Sequence, residues 1–476
     1  MIGVAVRVLR GAGRADRVRS ALLVAGSALA TGFALCGVVV LSIGGLDART
    51  LGRSCATDHG VIVCVAGTGQ PVAVRAYTSN LLNEPGLRPG VALAFWLLLI
   101  PVLVFLGQCA RIAAARRDRR LAALRLAGAT PGQVARIAAT DTGVCCALGA
   151  LAGLGGFLLL RAAVEAGHVA GTPRTLPTDV GLPVLETVAV VAAVPLLGVA
   201  ASVLALRRVV ATPLGLVRRR QVTAPAGWPA VLLAFGVAAT ALPTALLRQG
   251  HIRTVAPFVA LVLAGVLLSV AGVLLSAAWL TGRCARLLAR HTRRPAVLLA
   301  ARRLERDPHG QTRATSAVLL CVLFAAGASV MRALTLDSVG SGNGDFYASA
   351  YDLVTAAVGI ALAVAATGLV VANVEAVVER RRELAALVAA GTPRGTLRRA
   401  LLAQSVLPAV PAVLVAALAG TGIGVALGAG AETGTHIPVL RLVVVAGVAV
   451  GSIGLATALT LPALNQSVHP GELRFE

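Results

Sequence analysis

In 476 residues, 57% are hydrophobic and only 13% are charged, about half the charge that a water-soluble domain carries; such a chain buries its surface in lipid rather than in one large core. The net charge of +23 rests on arginine alone, because the 43 basic residues include no lysine. GC-rich codon usage accounts for that bias, and its chemical consequence is that a phosphate loop and Schiff-base catalysis, both of which need a lysine, are excluded.

Residues 1–20 are basic and amphipathic, with Arg7, Arg10, Arg14, Arg17 and Arg19. The apolar run 21–43 is long enough to cross a bilayer. No A-x-A cleavage site closes it, so it reads as a retained first helix. Further apolar runs predict spans at 91–110, 142–160, 184–206, 230–247, 256–279, 314–334, 353–375, 405–428 and 440–461. The weakest is 230–247, which contains Pro243. The longest outer connection is 44–90. In it Val61, Val63 and Val65, then Val72 and Val74, flank Gly67-Thr68-Gly69, the alternation of a β-hairpin. Cys55 and Cys64 share this loop, and a disulfide is open to them if the loop faces outside. The other six cysteines lie in or beside spans, where cysteine behaves as a small hydrophobe. Residues 335–352, with Gly340, Gly342, Gly344, Asp337 and Asp345, read as a flexible linker.

Ten spans put both termini on one side. With the N-terminus inside, 33 arginines fall on the cytoplasmic side and 10 on the other, as arginine-rich loops require. Short arginine clusters between apolar runs are a topology signal, not a nucleic-acid surface.

The strongest signal is an internal repeat. Residues 116–141 read RRDRRLAALRLAGATPGQVARIAATD, and 379–404 read ERRRELAALVAAGTPRGTLRRALLAQ. At an offset of 263, Arg117, Arg119, Leu121, Leu124 and Gly128 match Arg380, Arg382, Leu384, Leu387 and Gly391. Each copy joins one span to the next on the basic side. The expected physics is a short helix, a stop at a glycine able to adopt positive φ, and a restart at Pro131 or Pro393, since proline is tolerated in a first turn. A single copy would not decide between a solvated loop that only sets topology and a docking element. Two copies at equivalent places favour a docking element. A second echo, Thr212-Pro213-Leu214 and His469-Pro470-Gly471, closes each half.

These motifs, an Arg-rich leader, L-A-A-L, a glycine turn and an amphipathic helix, resemble the FtsX-like permease domain found in ABC systems of the MacB, LolC and BceB kind. The resemblance covers roughly 91–218 and 353–474. It implies an all-α polytopic membrane protein with a first permease unit over 1–220, a two-helix linker over 221–290 and a second unit over 291–476, with short outer loops. It also implies a permease subunit of an ATP-binding cassette transporter, itself without catalysis, cofactor or metal. Two copies of a separate ATPase would dock at Arg117, Arg119, Leu121, Leu124, Gly128, Pro131, Arg380, Arg382, Leu384, Leu387, Gly391 and Pro393. The chain would sit in the bacterial cell membrane with both termini cytoplasmic, and would export a substrate or transmit force to the outer side. The family's large outer domains are reduced here, after the first span to the small loop 44–90 and between the seventh and eighth to residues 335–352. An alternative is a non-transporting signalling or scaffold protein of that family acting on an outer partner, and a further one is a secondary carrier.

Other sites carry less. Asp141 and Glu375 sit at span ends and Glu186 near the outer face, away from the midplane where ion coupling is sought. The seven histidines are scattered, and no serine has nucleophile-elbow spacing. Gly420-Thr421-Gly422-Ile423-Gly424 lies inside an apolar span with no preceding strand, so it reads as a helix-packing surface rather than a nucleotide cradle.

Overall fold

The computed structural model describes residues 14–43, 55–58, 61–65, 71–74, 82, 88–109, 130–168, 176–210, 227–249, 255–339, 344–428 and 437–462. The helices are α1 (Arg14–Ser42), α2 (Arg88–Cys109), α3 (Pro131–Ala166), α4 (Val184–Val210), α5 (Trp228–Arg248), α6 (Val255–His291), α7 (Pro295–Arg306), α8 (Pro308–Val339), α9 (Gly344–Glu379), α10 (Arg381–Ala389), α11 (Arg394–Gly428) and α12 (Val439–Ala458). Each of the ten predicted spans falls on one of these, leaving α7 and α10 as the short ones. Among the described residues nine helices are long and apolar enough to cross a membrane, and α4 adds the shorter apolar stretch Val184–Ala200.

A small sheet consists of β1 (Cys55–Asp58), β2 (Val61–Val65) and β3 (Pro71–Val74) in the order β1-β2-β3, with both pairings antiparallel. β2 and β3 are the predicted hairpin. β1 escaped the sequence reading because Cys-Ala-Thr-Asp carries no apolar alternation.

The linker expected over 335–352 is corrected. α8 runs to Val339 and α9 starts at Gly344, so most of that stretch is helix. Two cross-links between the rods hold it: Arg332 pairs with Asp352, and the Thr335 and Tyr351 hydroxyls lie 3.0 Å apart. Gly340 and Gly342 fall between the two helices, outside the described residues, and Gly344 opens α9.

The two halves pack alike. In the first, α1 touches α2, α3 and α4; in the second, α8 touches α9, α11 and α12. The α1–α3 crossing brings Gly149 and Gly153 onto the backbone of Val24 and Ala28, and the α8–α11 crossing brings Gly420 and Gly424 onto the backbone of Leu323 and Gly327. Without a hydrophobic drive between helices in lipid, such backbone approach is what holds them. The Gly420–Gly424 run is therefore a packing surface, as the sequence indicated. The linker helices α5 and α6 pack on each other and on α11, and α6 also packs on α8, so they adjoin the second unit.

The units meet along α2. Phe105, 1% exposed, seats its ring against Gly26 of α1 and Gly368 of α9, where a Cβ would overlap it. Beside it, the Gln108 amide donates to the Arg313 carbonyl at 2.8 Å and to Ser316 Oγ at 2.7 Å.

Two arginines tie distant segments together in a way that the sequence hid. Arg19, read as part of a basic tail, is 3% exposed. Its guanidinium donates to Asp141 Oδ2 at 2.7 Å and to Thr142 Oγ1 at 3.0 Å, clamping α1 to α3. Arg88 is also buried and donates to the carbonyls of Ile43 at 2.7 Å and Leu82 at 2.8 Å. It thereby satisfies a carbonyl just past the end of α1.

Candidate functional site

The second copy of the repeat is fully placed in its backbone. α9 ends at Glu379, the chain turns at Arg380, and α10 occupies Arg381–Ala389. α10 closes in a Schellman arrangement: the Gly391 N–H donates to the Val388 carbonyl at 2.9 Å and the Thr392 N–H to the Leu387 carbonyl at 3.0 Å. This geometry puts Gly391 at φ +90°, the one positive-φ glycine among the described residues. Pro393 then starts α11, its carbonyl accepting from the N–H groups of Thr396 at 3.0 Å and Leu397 at 3.3 Å. The helix, stop and restart expected from LAALVAAGTP are all present.

A separate apolar cluster lies beneath this element. Val377 of α9, Leu384 of α10 and Leu397 of α11 are buried together, with Leu387, Val388 and Leu401 against them. The helix–turn–helix is thus packed, not merely tethered. Of the residues expected to dock a partner, Leu384 is 1% exposed and faces this cluster, so it braces the element from below. Arg380 and Leu387 are half-buried, and Gly391 and Pro393 are exposed. Exposed beside them are Arg394, Arg398 and Arg399, which continue the basic surface onto α11. The Arg382 side chain lies outside the described residues.

Of the first copy, Arg117, Arg119, Leu121, Leu124 and Gly128 lie outside the described residues. Its restart is visible. Pro131 opens α3 behind Thr130, whose hydroxyl accepts from the Gln133 N–H at 3.4 Å while Gln133 Oε1 accepts from the Thr130 N–H at 2.9 Å. This is a capping box. Cys55 and Cys64 occupy facing positions on β1 and β2.

α7 was not foreseen as an element; its residues passed for a basic loop. It buries Ala300, Ala301 and Leu304, and it packs on α6 and α11. A second stripe, Leu299, Arg302, Arg303 and Arg306, faces Glu383, Ala386 and Leu387 of α10 across a groove of about 390 Å³. Burial, followed by the nearby Arg380 charge, pushes the Arg303 guanidinium below its ordinary value, against the pull of Glu383. Spacing at i, i+3, i+4 and i+7 was the signal available in the sequence. Among the described residues no group of His, Cys, Asp and Glu could hold a metal ion.

A comparison with curated proteins finds no match. A scan against protein families matches the description FtsX-like permease C-terminal in two segments, residues 92–214 and 355–466. These segments run from α2 into the chain just past α4 and from α9 into the chain past α12, so each contains one copy of the inter-span element. The chain belongs to the FtsX-like permease family, as a multi-pass membrane protein with two permease units in one polypeptide and a role of the ABC transporter permease type.

Proposed function

We propose that this chain is the membrane subunit of an ATP-binding cassette system, that it takes up the motion of a separate ATPase through its two inter-span elements, and that it converts this motion into export or mechanical work on the outer side of the cell membrane. One ATPase copy sits on each element, which makes two per chain, and both termini are cytoplasmic. The observation that carries the reading is the packed, glycine-stopped helix–turn–helix α10–α11, repeated in sequence between α2 and α3. Arg380, Arg382, Gly391 and Pro393 with Arg117, Arg119, Leu121, Leu124, Gly128 and Pro131 form the docking surfaces, and Leu384 and Leu387 support the second one. The test is co-expression with the ATPase encoded beside it. The two are expected to co-purify at two ATPases per permease chain, and the ATPase rate is expected to change on reconstitution with the permease. An ATPase that neither binds nor responds would end this reading.

In that orientation the β1–β3 sheet lies outside. Cys55 and Cys64 are then expected to form a disulfide, their two thiols passing two electrons and two protons to an extracytoplasmic thiol oxidase. In β1–β2 the pair 58/61 closes a two-residue connection, so 55/64 falls at a non-hydrogen-bonded position, where Cα atoms come within about 4.5–5.5 Å, inside disulfide range. Denatured protein from intact cells should resist maleimide at both positions until reduced. Labelling without reductant would refute the bond.

A further inference from the structure

The groove between α7 and α10 is not explained by ATPase docking. α7 is joined to α6 by three residues, 292–294, and to α8 by Asp307 alone. Both neighbours are candidate spans, one over Pro257–His291 and the other over Pro308–Asp337. A helix tied so shortly at both ends stays beside the ends of α6 and α8, on the side of the bundle where α10 lies. Its buried stripe packs on protein, and its next stripe lines the groove with Arg302, Arg303 and Arg306 above the apolar Leu299 and, from α10, Ala386 and Leu387. On the lining itself three arginines meet a single acid, Glu383. Arg302 is held by Glu305 at 3.0 Å, whereas Arg303 and Arg306 form no ion pair among the described residues. Guanidinium forks match phosphate oxygens, and the leucines suit the glycerol and the first methylenes of an acyl chain.

We infer that this groove binds the phosphate headgroup of an anionic phospholipid of the cytoplasmic leaflet, held by Arg303 and Arg306 with Arg302 at the rim. The lowered affinity of the Arg303 guanidinium for its proton, caused by burial and by Arg380, fits a site whose positive charge awaits an anion. The inference rests on the proposed orientation, which puts this groove on the cytoplasmic side, and shares Leu387 with the docking element; Arg302, Arg303 and Arg306 lie outside the docking set, so lipid binding and ATPase binding are separable. The lipid would wedge α7 against α10 and so set the resting position of the second inter-span element.

The test uses the full chain, delipidated in detergent and titrated with phosphatidylglycerol, phosphatidylcholine or inorganic phosphate. The readouts are bound lipid by native mass spectrometry and the thermal midpoint. Phosphatidylglycerol is expected to bind roughly thirty-fold tighter than phosphatidylcholine, the preference that two arginines held in no ion pair supply at a surface. The variant R302Q/R303Q/R306Q is expected to bind both lipids alike while still co-purifying with the ATPase. If that variant does not fold, Arg303→Gln alone carries the test, with at least part of the preference lost. Retention of the full preference in whichever variant is read overturns the inference. So does complete displacement of phosphatidylglycerol by inorganic phosphate at equal concentration, which would make this a free-phosphate site. Loss of ATPase binding with the lipid preference unchanged would make the groove a protein-docking surface and overturn it as well.

Discussion

Gly391→Val is expected to leave the chain folded and inserted while weakening its grip on the partner ATPase about five- to thirty-fold, the factor that one to two kcal/mol commands. The position is exposed, and a Cβ added there meets no atom within 4 Å, so the cost is not steric crowding. It lies in the backbone. At φ +90° an L-residue is strained by roughly 1–2 kcal/mol, and a β-branched one by more. The chain escapes that strain by giving up the Schellman closure, which re-aims Pro393 and the start of α11. The Val377–Leu384–Leu397 cluster keeps α10 from unfolding outright, so the loss shows in docking and in coupled ATPase rate rather than in expression. Gly391→Asn should recover part of the function, because asparagine tolerates the left-handed region. Gly395→Ala, one turn later and with open space around its Cβ, should be silent. Pairing Gly391→Val with Gly128→Val should abolish the response entirely. A Gly391→Val chain that stimulates the ATPase normally would remove this turn from the coupling path.

The second large effect concerns the join between the units. Phe105→Ala is expected to destabilise the chain by about 3–5 kcal/mol, read as a lowered thermal midpoint in detergent. Lipid tails are as apolar as phenylalanine, so little of this comes from transfer; it comes from the dispersion attraction forfeited when a void opens among α1, α2 and α9. Because the ring fits against Gly26 and Gly368, Gly368→Ala alone should also destabilise, by pushing the ring out. The double variant Phe105→Ala/Gly368→Ala should cost less than the two single changes together, because the added methyl then fills part of the void. Strict additivity would show that ring and glycine are not coupled.

Much of this architecture was legible from residue order. Apolar runs located the ten long helices because hydropathy in lipid is a nearly sufficient signal. The repeat exposed the inter-span element, and Gly391 announced its own turn because no other residue sits at that φ so cheaply. What stayed hidden was long-range pairing. Arg19 and Asp141 are 122 positions apart, and nothing local distinguishes an arginine that reaches a carboxylate across the bundle from one that faces water. The same holds for Arg332 and Asp352, which pair across the stretch that read as a linker. In the candidate site, Leu384 looked like a docking residue because it lies in the repeated motif. Its neighbours in space, Val377 and Leu397, show that repetition there also records what holds the element together. α7 was missed for a different reason: its arginines were counted toward topology, and charge counting ignores which face of a helix each charge occupies.

Between the membrane's two faces, α9 is an unbroken helix of 36 residues with no proline, about 54 Å long at 1.5 Å per residue, against a hydrocarbon layer of about 30 Å. One end runs directly into α10, and the other is laced to α8 through Asp352 and Tyr351. A beam of that kind has no internal joint in which displacement could dissipate. Tilting it by about 10° around its centre would swing each tip through about 5 Å, by the same helix geometry. The ends of α8 and α9 joined by Arg332–Asp352 would then move in step with the turn at Arg380, at the opposite end of the same rod.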